Sequence, residues 1–398
     1  MATRTVLISG AGIAGPTLAY WLSKSGFKPT LVEYAPSPRS GGYVIDFWGL
    51  GYDIAEQMGL RDELERLGYH MREMRIVNDN GRRAAGFAVG VFRELVGDRF
   101  VTVRRSDLAR LLIEKAAPGT GTIFGNEILR IEPHQNGVEI AFEQGSSQRF
   151  DLVIGADGLH SRVRSLVFGP QDTFERSLGY TVAAFEAAGF RPRDENVYVM
   201  HNKPGCMLGR VALRDDRTLF LFVFADHPDD GMPGHDIGAQ KALLRRRYGR
   251  TGWESLSILD ALDRADDIYF DRVSQIEMPV WSRGRVALVG DAAFSPSLMA
   301  GQGSALAMAA AYVLAGELGR PDASAEQAFS RYETLFRPFI ATKQRAARGF
   351  GASLAPKTAL GLLFRNLVIS AAAIPGLARL TFGRDITDKL VLPDYQWR

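Results

Sequence analysis

The chain has 398 residues, 46% of them hydrophobic and 23% charged, with a formal net charge of +3 and one cysteine, Cys206. That composition belongs to an ordinary globular protein of two or three domains with a sizeable core. It excludes a general nucleic-acid binder, whose charge would be far larger, and an internal disulfide framework; a lone cysteine suits a reducing compartment.

The first strand is expected at residues 5–9, an apolar run (TVLIS) that feeds straight into Gly10-Ala11-Gly12-Ile13-Ala14-Gly15. A helical stretch over 14–25 follows, then a second apolar run, 29–33, ending in Glu33. Strand, glycine turn, helix and strand closing on an acid form a dinucleotide-binding fingerprint with its context intact. Gly10 permits the tight turn, Gly12 lets backbone approach a pyrophosphate, and Gly15 lets the helix sit close on the sheet. The helix N-terminus offers free N–H groups to phosphate, Pro16 fits its first turn, and Glu33 is spaced to accept hydrogen bonds from a ribose. No apolar signal segment precedes this strand, so a cytoplasmic protein is expected.

Beyond Glu33 lies a loop, 35–42, containing Arg39 and the pair Gly41-Gly42; residues 43–47 then read as a strand and 54–67 as an amphipathic helix. Two alternating runs between 71 and 87 flank Asn80-Gly81, a hairpin signal. A short β run, 100–105, precedes a helix over 108–116 that Ser106 can cap. A hairpin with its turn at Gly137 is expected over 123–142. The buried strand 150–155 enters Gly155-Ala156-Asp157-Gly158 and continues to Arg164.

From 179 to 224 helical periodicity gives way to alternating, aromatic-rich strands, the clearest at 219–224 (LFLFVF), which marks a second, sheet-based domain. Helices are expected at 238–248 and 253–262. The basic run Arg245-Arg246-Arg247 reads as the solvated end of the first, and His227 and His235 as part of a solvated loop without metal-ligand spacing. The chain then returns to a buried strand at 285–289, ending at Gly290-Asp291, and a glycine-rich loop to Gly303 leads into a helix over 304–318. The remainder is helical. Its apolar stretch 360–382 is interrupted by Arg365, Pro375 and Arg379 and makes a poor membrane span.

Three motifs in this order, Gly10 to Gly15, Gly155-Ala156-Asp157-Gly158 to Arg164, and Gly290-Asp291-Ala292 to Gly301-Gln302-Gly303, resemble those of the p-hydroxybenzoate hydroxylase-like, single-component FAD-dependent aromatic hydroxylases. The resemblance spans nearly the whole chain. Segments such as AYWL, GGYVIDF and AYVLAGEL are most similar to the branch that contains the tetracycline-inactivating monooxygenases.

The resemblance implies an α/β fold: an FAD-binding three-layer, Rossmann-like domain (1–70, 97–177 and 267–324), an inserted β-sheet substrate domain (71–96 and 178–266) and a C-terminal helical region (325–398). It implies FAD, with NADPH or NADH as reductant, and hydroxylation of a small aromatic or polycyclic compound, tetracycline-like ones included, by molecular oxygen through a flavin hydroperoxide. Gly10, Gly12, Ile13, Ala14 and Gly15 then match the pyrophosphate turn and Glu33 the ribose acid. Arg39, Gly42 and Arg105 match groups near the flavin's phosphate or ribitol. Gly290 and Asp291 match the ribityl-binding pair, and Gly301, Gln302 and Gly303 the loop under the ring. Asp157 matches the aspartate implicated in FAD and nicotinamide binding; a structural turn with Arg162 or Arg164 as its salt partner is the alternative.

Phe294 stands where the family commonly has a polar group, and Leu298 where it commonly has proline. Phe220, Phe222 and Phe224 share one strand face and are either an aromatic substrate wall or interdomain core, an ambiguity shared by Tyr180 and Met207. No catalytic triad is expected, because the flavin carries the chemistry, and no base for a phenol-like substrate is identified. A monomer or weak dimer with no nucleic-acid partner and no membrane span is expected. The rival readings are a flavin-dependent reductase on the same scaffold and a flavin-bearing binding protein that sequesters a hydrophobic compound.

Overall fold

The computed structural model describes residues 4–38, 43–321, 323–372, 388 and 390–397. A six-stranded sheet forms the first layer, in the order Ser282–Arg283, Val286–Leu288, Leu152–Gly155, Thr5–Ser9, Lys28–Glu33 and Gly121–Phe124. All but the first pair are parallel. The inner strands are continuous apolar runs because both faces are covered. Helices Ala14–Lys24, Arg105–Ala116 and Gly303–Gly319 lie on one face; the small antiparallel sheet of Ile128–His134, Gly137–Phe142 and Gln148–Phe150 contributes Ile128, Val138, Ile140 and Phe150 to the same core.

The second body is a seven-stranded sheet in the order Tyr269–Ile276, Glu175–Ala188, Arg217–Ala225, Cys206–Ala212, Val197–Lys203, Glu73–Val77 and Arg83–Ala88. Its last two strands are the hairpin around Asn80-Gly81, so residues far apart in the chain complete one sheet. Between the two bodies runs an antiparallel ribbon, Val44–Trp48 paired with Phe100–Arg104.

The sequence pattern misplaces three details. Strand Tyr269–Ile276, assigned above to the nucleotide domain, pairs antiparallel with Glu175–Ala188 and closes the large sheet; an edge strand carries no local mark of which sheet it joins. The expected helix over 54–67 is two helices, Leu50–Gln57 and Arg61–Leu67, because Gly59 takes a left-handed φ of +70° between them. The helix after Arg104 begins at Arg105 and has no side-chain cap, so Ser106 does not cap it.

Helix Ala325–Leu354 packs along Gly303–Gly319, and helix Ala359–Ala372 lies against strand Arg83–Ala88. Residues 390–397 return to the nucleotide body, where Trp397 stacks on Trp21 with centroids 4.4 Å apart and Tyr395 donates to the buried Glu317 at 2.8 Å. Among the described residues no helix is long and apolar enough to cross a membrane.

Candidate cofactor site

Gly10 leaves the first strand with φ +104°, and a Cβ there would lie 2.5 Å from the Ala156 carbonyl oxygen. A Cβ on Gly15 would lie 1.9 Å from the Gly10 carbonyl oxygen, so both positions require glycine to keep the turn closed. Gly12 differs. Its Cβ would meet only the Arg105 guanidinium, at 3.5 Å, which leaves its outer face clear for a ligand. Ile13 and Ala14 are buried where helix Ala14–Lys24 begins, and no side chain caps that N-terminus. Its amides are therefore available to an anion.

Glu33 ends its strand beside this turn. Its Oε2 accepts the Ala11 amide at 2.8 Å and its Oε1 accepts the Ala35 amide at 3.0 Å, which fixes the carboxylate with lone pairs to spare. Arg105 enters from the ribbon, its amide donating to Tyr43 O at 3.1 Å.

On the far side of the helix, Gly290 takes φ +66°, and its Cβ position is 3.1 Å from Ala14 Cβ. Asp291 follows, half-buried. Burial pushes its carboxyl up, while the Arg105 cation and the Ser295 hydroxyl favour the ionised form. Asp291 Oδ1 lies 3.9 Å from the Cβ position of Gly303. Gly301, with φ +65°, has Trp48 Cη2 3.7 Å from its Cβ position. Gln302 is 6% exposed, and its Nε2 is buried with no hydrogen-bond partner. Gly10 to Gly15, Glu33, Arg105, Gly290, Asp291 and 301–303 therefore lie along one path. Its uncapped helix end, orphaned amide and clear approach at Gly12 fit an extended FAD.

Asp157 is placed differently. Its Oδ1 accepts Ser161 Oγ at 2.5 Å and its Oδ2 accepts the Val163 amide at 3.0 Å, so the side chain braces the first turn of helix Arg162–Val167, which Ser161 caps. Neither expected arginine pairs with it through its guanidinium: that of Arg162 donates to Ile128 O, and that of Arg164 to Leu159 O and Ala292 O, while the Arg162 backbone amide does donate to Asp157. Its backbone also meets the glycine turn, the Cα lying 2.8 Å from the Cβ position of Gly10. Arg39 and Gly42 lie outside the described residues.

The strand pattern puts Phe220, Phe222 and Phe224 on one face, and that face is fully buried beneath helices Ile237–Tyr248 and Ser255–Asp263, together with Leu244, Tyr248 and Leu259. They do not form a substrate wall, because these helices cover their side of the sheet. Tyr180 and Met207 lie on the opposite face with Val182 and Val223, packed with Leu298 and Leu354. Leu298 thus meets the large sheet. Phe294 turns behind the loop to stack on Trp281, with centroids 4.7 Å apart.

The sequence reading did not single out Asp46, Trp48, Thr102, Tyr198 and Tyr269, which meet where ribbon and large sheet pack together. An acid inside the apolar run VIDFW was the one available signal.

A family model described as the FAD binding domain matches residues 3–341. A flavin-dependent monooxygenase from an unknown prokaryotic organism is 36% identical over 352 residues, covering 86% of this chain and 88% of its own length. The tetracycline destructase Tet(55) superposes with a TM-score of 0.85 at 30% identity, covering 99% of both chains. Klebsiella pneumoniae HpxO, solved with FAD and uric acid, superposes with a TM-score of 0.78 at 25% identity over 96% of each chain. The chain belongs to the FAD-binding-domain family of flavin-dependent monooxygenases.

Proposed function

We propose that this monooxygenase takes its electrons from NADPH or NADH and inserts one atom of molecular oxygen into an aromatic or polycyclic compound held between the dinucleotide body and the large sheet. The balance is substrate C–H, oxygen, NAD(P)H and a proton going to C–OH, water and NAD(P)+. The observation that carries this reading is the apolar sheet face of Tyr180, Val182, Met207 and Val223 packed with Leu298, at the loop that runs to Gly301. Its chemistry suits a flat apolar guest and excludes water from the reacting centre.

FAD, when bound, supplies the redox and oxygen-transfer chemistry. The residues here bind and orient it: the amides after Gly10 and Gly12 take the pyrophosphate, and Glu33 accepts a ribose hydroxyl. Arg105 neutralises phosphate, Asp291 accepts from the ribityl hydroxyls, and 301–303 border the ring. The tetracycline destructase and the uric acid complex named above support a polycyclic or heterocyclic guest. One thiol and a chain without a disulfide framework suit the cytoplasm.

Purified protein should be yellow. With NADPH or NADH, oxygen and a panel of phenols, quinolones and tetracyclines, one compound should accelerate nicotinamide oxidation and gain one oxygen by mass. Acceleration without an oxygenated product would show a reductase instead, and binding without acceleration a sequestering protein.

A further inference from the structure

The ribbon carries a polar group that cofactor binding does not use. Asp46 sits on strand Val44–Trp48 directly opposite Thr102. Its Oδ1 accepts the Thr102 hydroxyl at 2.6 Å and also the Tyr198 phenol, which reaches across from the large sheet; the two hydroxyl oxygens are themselves 2.8 Å apart. Asp46 Oδ2 has no hydrogen-bond partner, yet it is not among the fully buried, unpartnered atoms. The carboxylate therefore spends one oxygen on the fold and leaves the other unpartnered and not fully buried.

The neighbours define its surroundings. Trp48, two residues on and so on the same strand face, packs beside Gly301, and Tyr198, Tyr269, Phe92 and the aliphatic Leu221 complete an apolar surround. Tyr198 keeps its proton, because burial and the adjacent carboxylate both push its phenol well up, so it acts as a donor. Burial also pushes Asp46 up, and the two hydroxyls pull it back toward the anion. While the carboxylate is ionised, Oδ2 can only accept. An anionic guest would be repelled there, and one without a donor would leave a desolvated carboxylate oxygen unpaired.

We propose that Asp46, held by Tyr198 and Thr102, is a specificity-determining residue that accepts the hydroxyl hydrogen of a neutral, hydroxyl-bearing aromatic substrate. This rests on the function proposed above and narrows its substrate class to hydroxyarenes and enols. An aryl hydroxyl is favoured over an aryl amine because its more acidic proton makes the stronger bond to a carboxylate.

The test needs no turnover, so it stands apart from the oxygenation assay. Equilibrium dialysis of 1-naphthol, 1-naphthylamine and 1-methoxynaphthalene against the oxidised, FAD-loaded protein gives three dissociation constants. Naphthol should bind about tenfold or more tightly than the methyl ether, with the amine between them. Asp46→Asn keeps an acceptor for Thr102 and Tyr198 but turns an N–H toward the guest. It should collapse the naphthol preference to about unity, with FAD content unchanged.

Should Asp46→Asn fail to fold, Tyr198→Phe frees Oδ1 of one donor and should shift the same ratio severalfold while leaving methoxynaphthalene affinity alone. Equal binding of all three probes, tighter binding of the amine, no saturable binding, or a ratio untouched by the substitution would each overturn the assignment. A purely structural Asp46 would lower the melting temperature and move all three constants together.

Discussion

The Arg164 guanidinium, with no exposed surface, donates from Nη1 to the Ala292 carbonyl at 2.9 Å and from Nη2 to the Leu159 carbonyl at 2.6 Å. Two segments 128 residues apart in the chain, one after Asp157 and one after Asp291, are thereby held by one side chain. Burial lowers the Arg164 pKa, and the Asp157 and Glu175 charges oppose that shift.

Arg164→Met should therefore cost about 2–4 kcal/mol, since it removes the charge and leaves two buried carbonyls unpaired. Arg164→Lys should recover only part of this, because an ammonium lacks the planar fork that serves both acceptors. Denaturant unfolding with and without FAD measures it. The flavin affinity should fall with the stability, since Ala292 adjoins Asp291.

The glycines of the first turn should separate folding from cofactor binding. Gly15→Ala would drive a Cβ to 1.9 Å from the Gly10 carbonyl and should prevent stable folding. Gly12→Ala meets only a side-chain nitrogen at 3.5 Å, an ordinary contact. That variant should keep the melting temperature of the flavin-free protein within about 2 °C, an effect below ~0.5 kcal/mol. It should nevertheless purify colourless, as the added methyl occupies the pyrophosphate's path. Absorbance of bound flavin and a thermal melt of stripped protein are the two readouts; a yellow Gly12→Ala protein would remove Gly12 from the site.

That contrast also marks how far the sequence could be read. The turn at Gly10 to Gly15 was legible because its main demands are local: the φ of Gly10, the approach of Gly15 to the Gly10 carbonyl and an open helix end all lie within six residues, although Gly10 also meets the distant Ala156. The same holds for Gly290-Asp291 and the Asn80-Gly81 hairpin. Alternation likewise put the three phenylalanines of strand Arg217–Ala225 on a common face. It could not say which face meets the cofactor body, since helices Ile237–Tyr248 and Ser255–Asp263 decide that from outside the strand. Asp46 escaped for a related reason. Its partners Thr102 and Tyr198 lie 56 and 152 residues away and meet it only when ribbon and sheet are assembled.

The contact between His160 and Asp271 gives a pH prediction. The His160 ring nitrogen lies 2.9 Å from Asp271 Oδ2, joining the segment after Asp157 to the edge strand of the large sheet. That carboxylate raises the His160 pKa, with burial acting against it. A raised value means the folded protein holds the proton more tightly than the unfolded chain. The stabilisation is complete below the ordinary histidine pKa of about 6.5 and is lost as pH rises through the folded-state value. The ring is 60% exposed, so screening limits the effect to about 0.5 kcal/mol. Wild-type protein should melt above His160→Gln near pH 5.5, and the gap should close by about pH 8.5. A gap that widens with pH would reverse the sign and remove the ion pair as its cause.

The two faces of strand Arg217–Ala225 and its neighbour should answer differently to truncation. Phe222 has no exposed surface and stacks edge-on against Tyr248 at 4.9 Å, beneath the helical cover. Phe222→Ala should cost about 3–5 kcal/mol, the price of a large buried cavity, with little change in which compounds stimulate nicotinamide oxidation at temperatures where it remains folded. Met207 is equally buried but packs on the opposite face with Tyr180, Val223 and Leu298. Met207→Ala should cost about 2–4 kcal/mol and also change substrate range, because the space it opens adjoins the loop that leads to Gly301. Bulkier polycyclic compounds should gain relative to single rings by severalfold in the ratio of their kcat/KM values. Chemical denaturation paired with a substrate panel separates the two outcomes. If Phe222→Ala shifted the panel and Met207→Ala did not, the guest would have to enter from the helical side of the sheet.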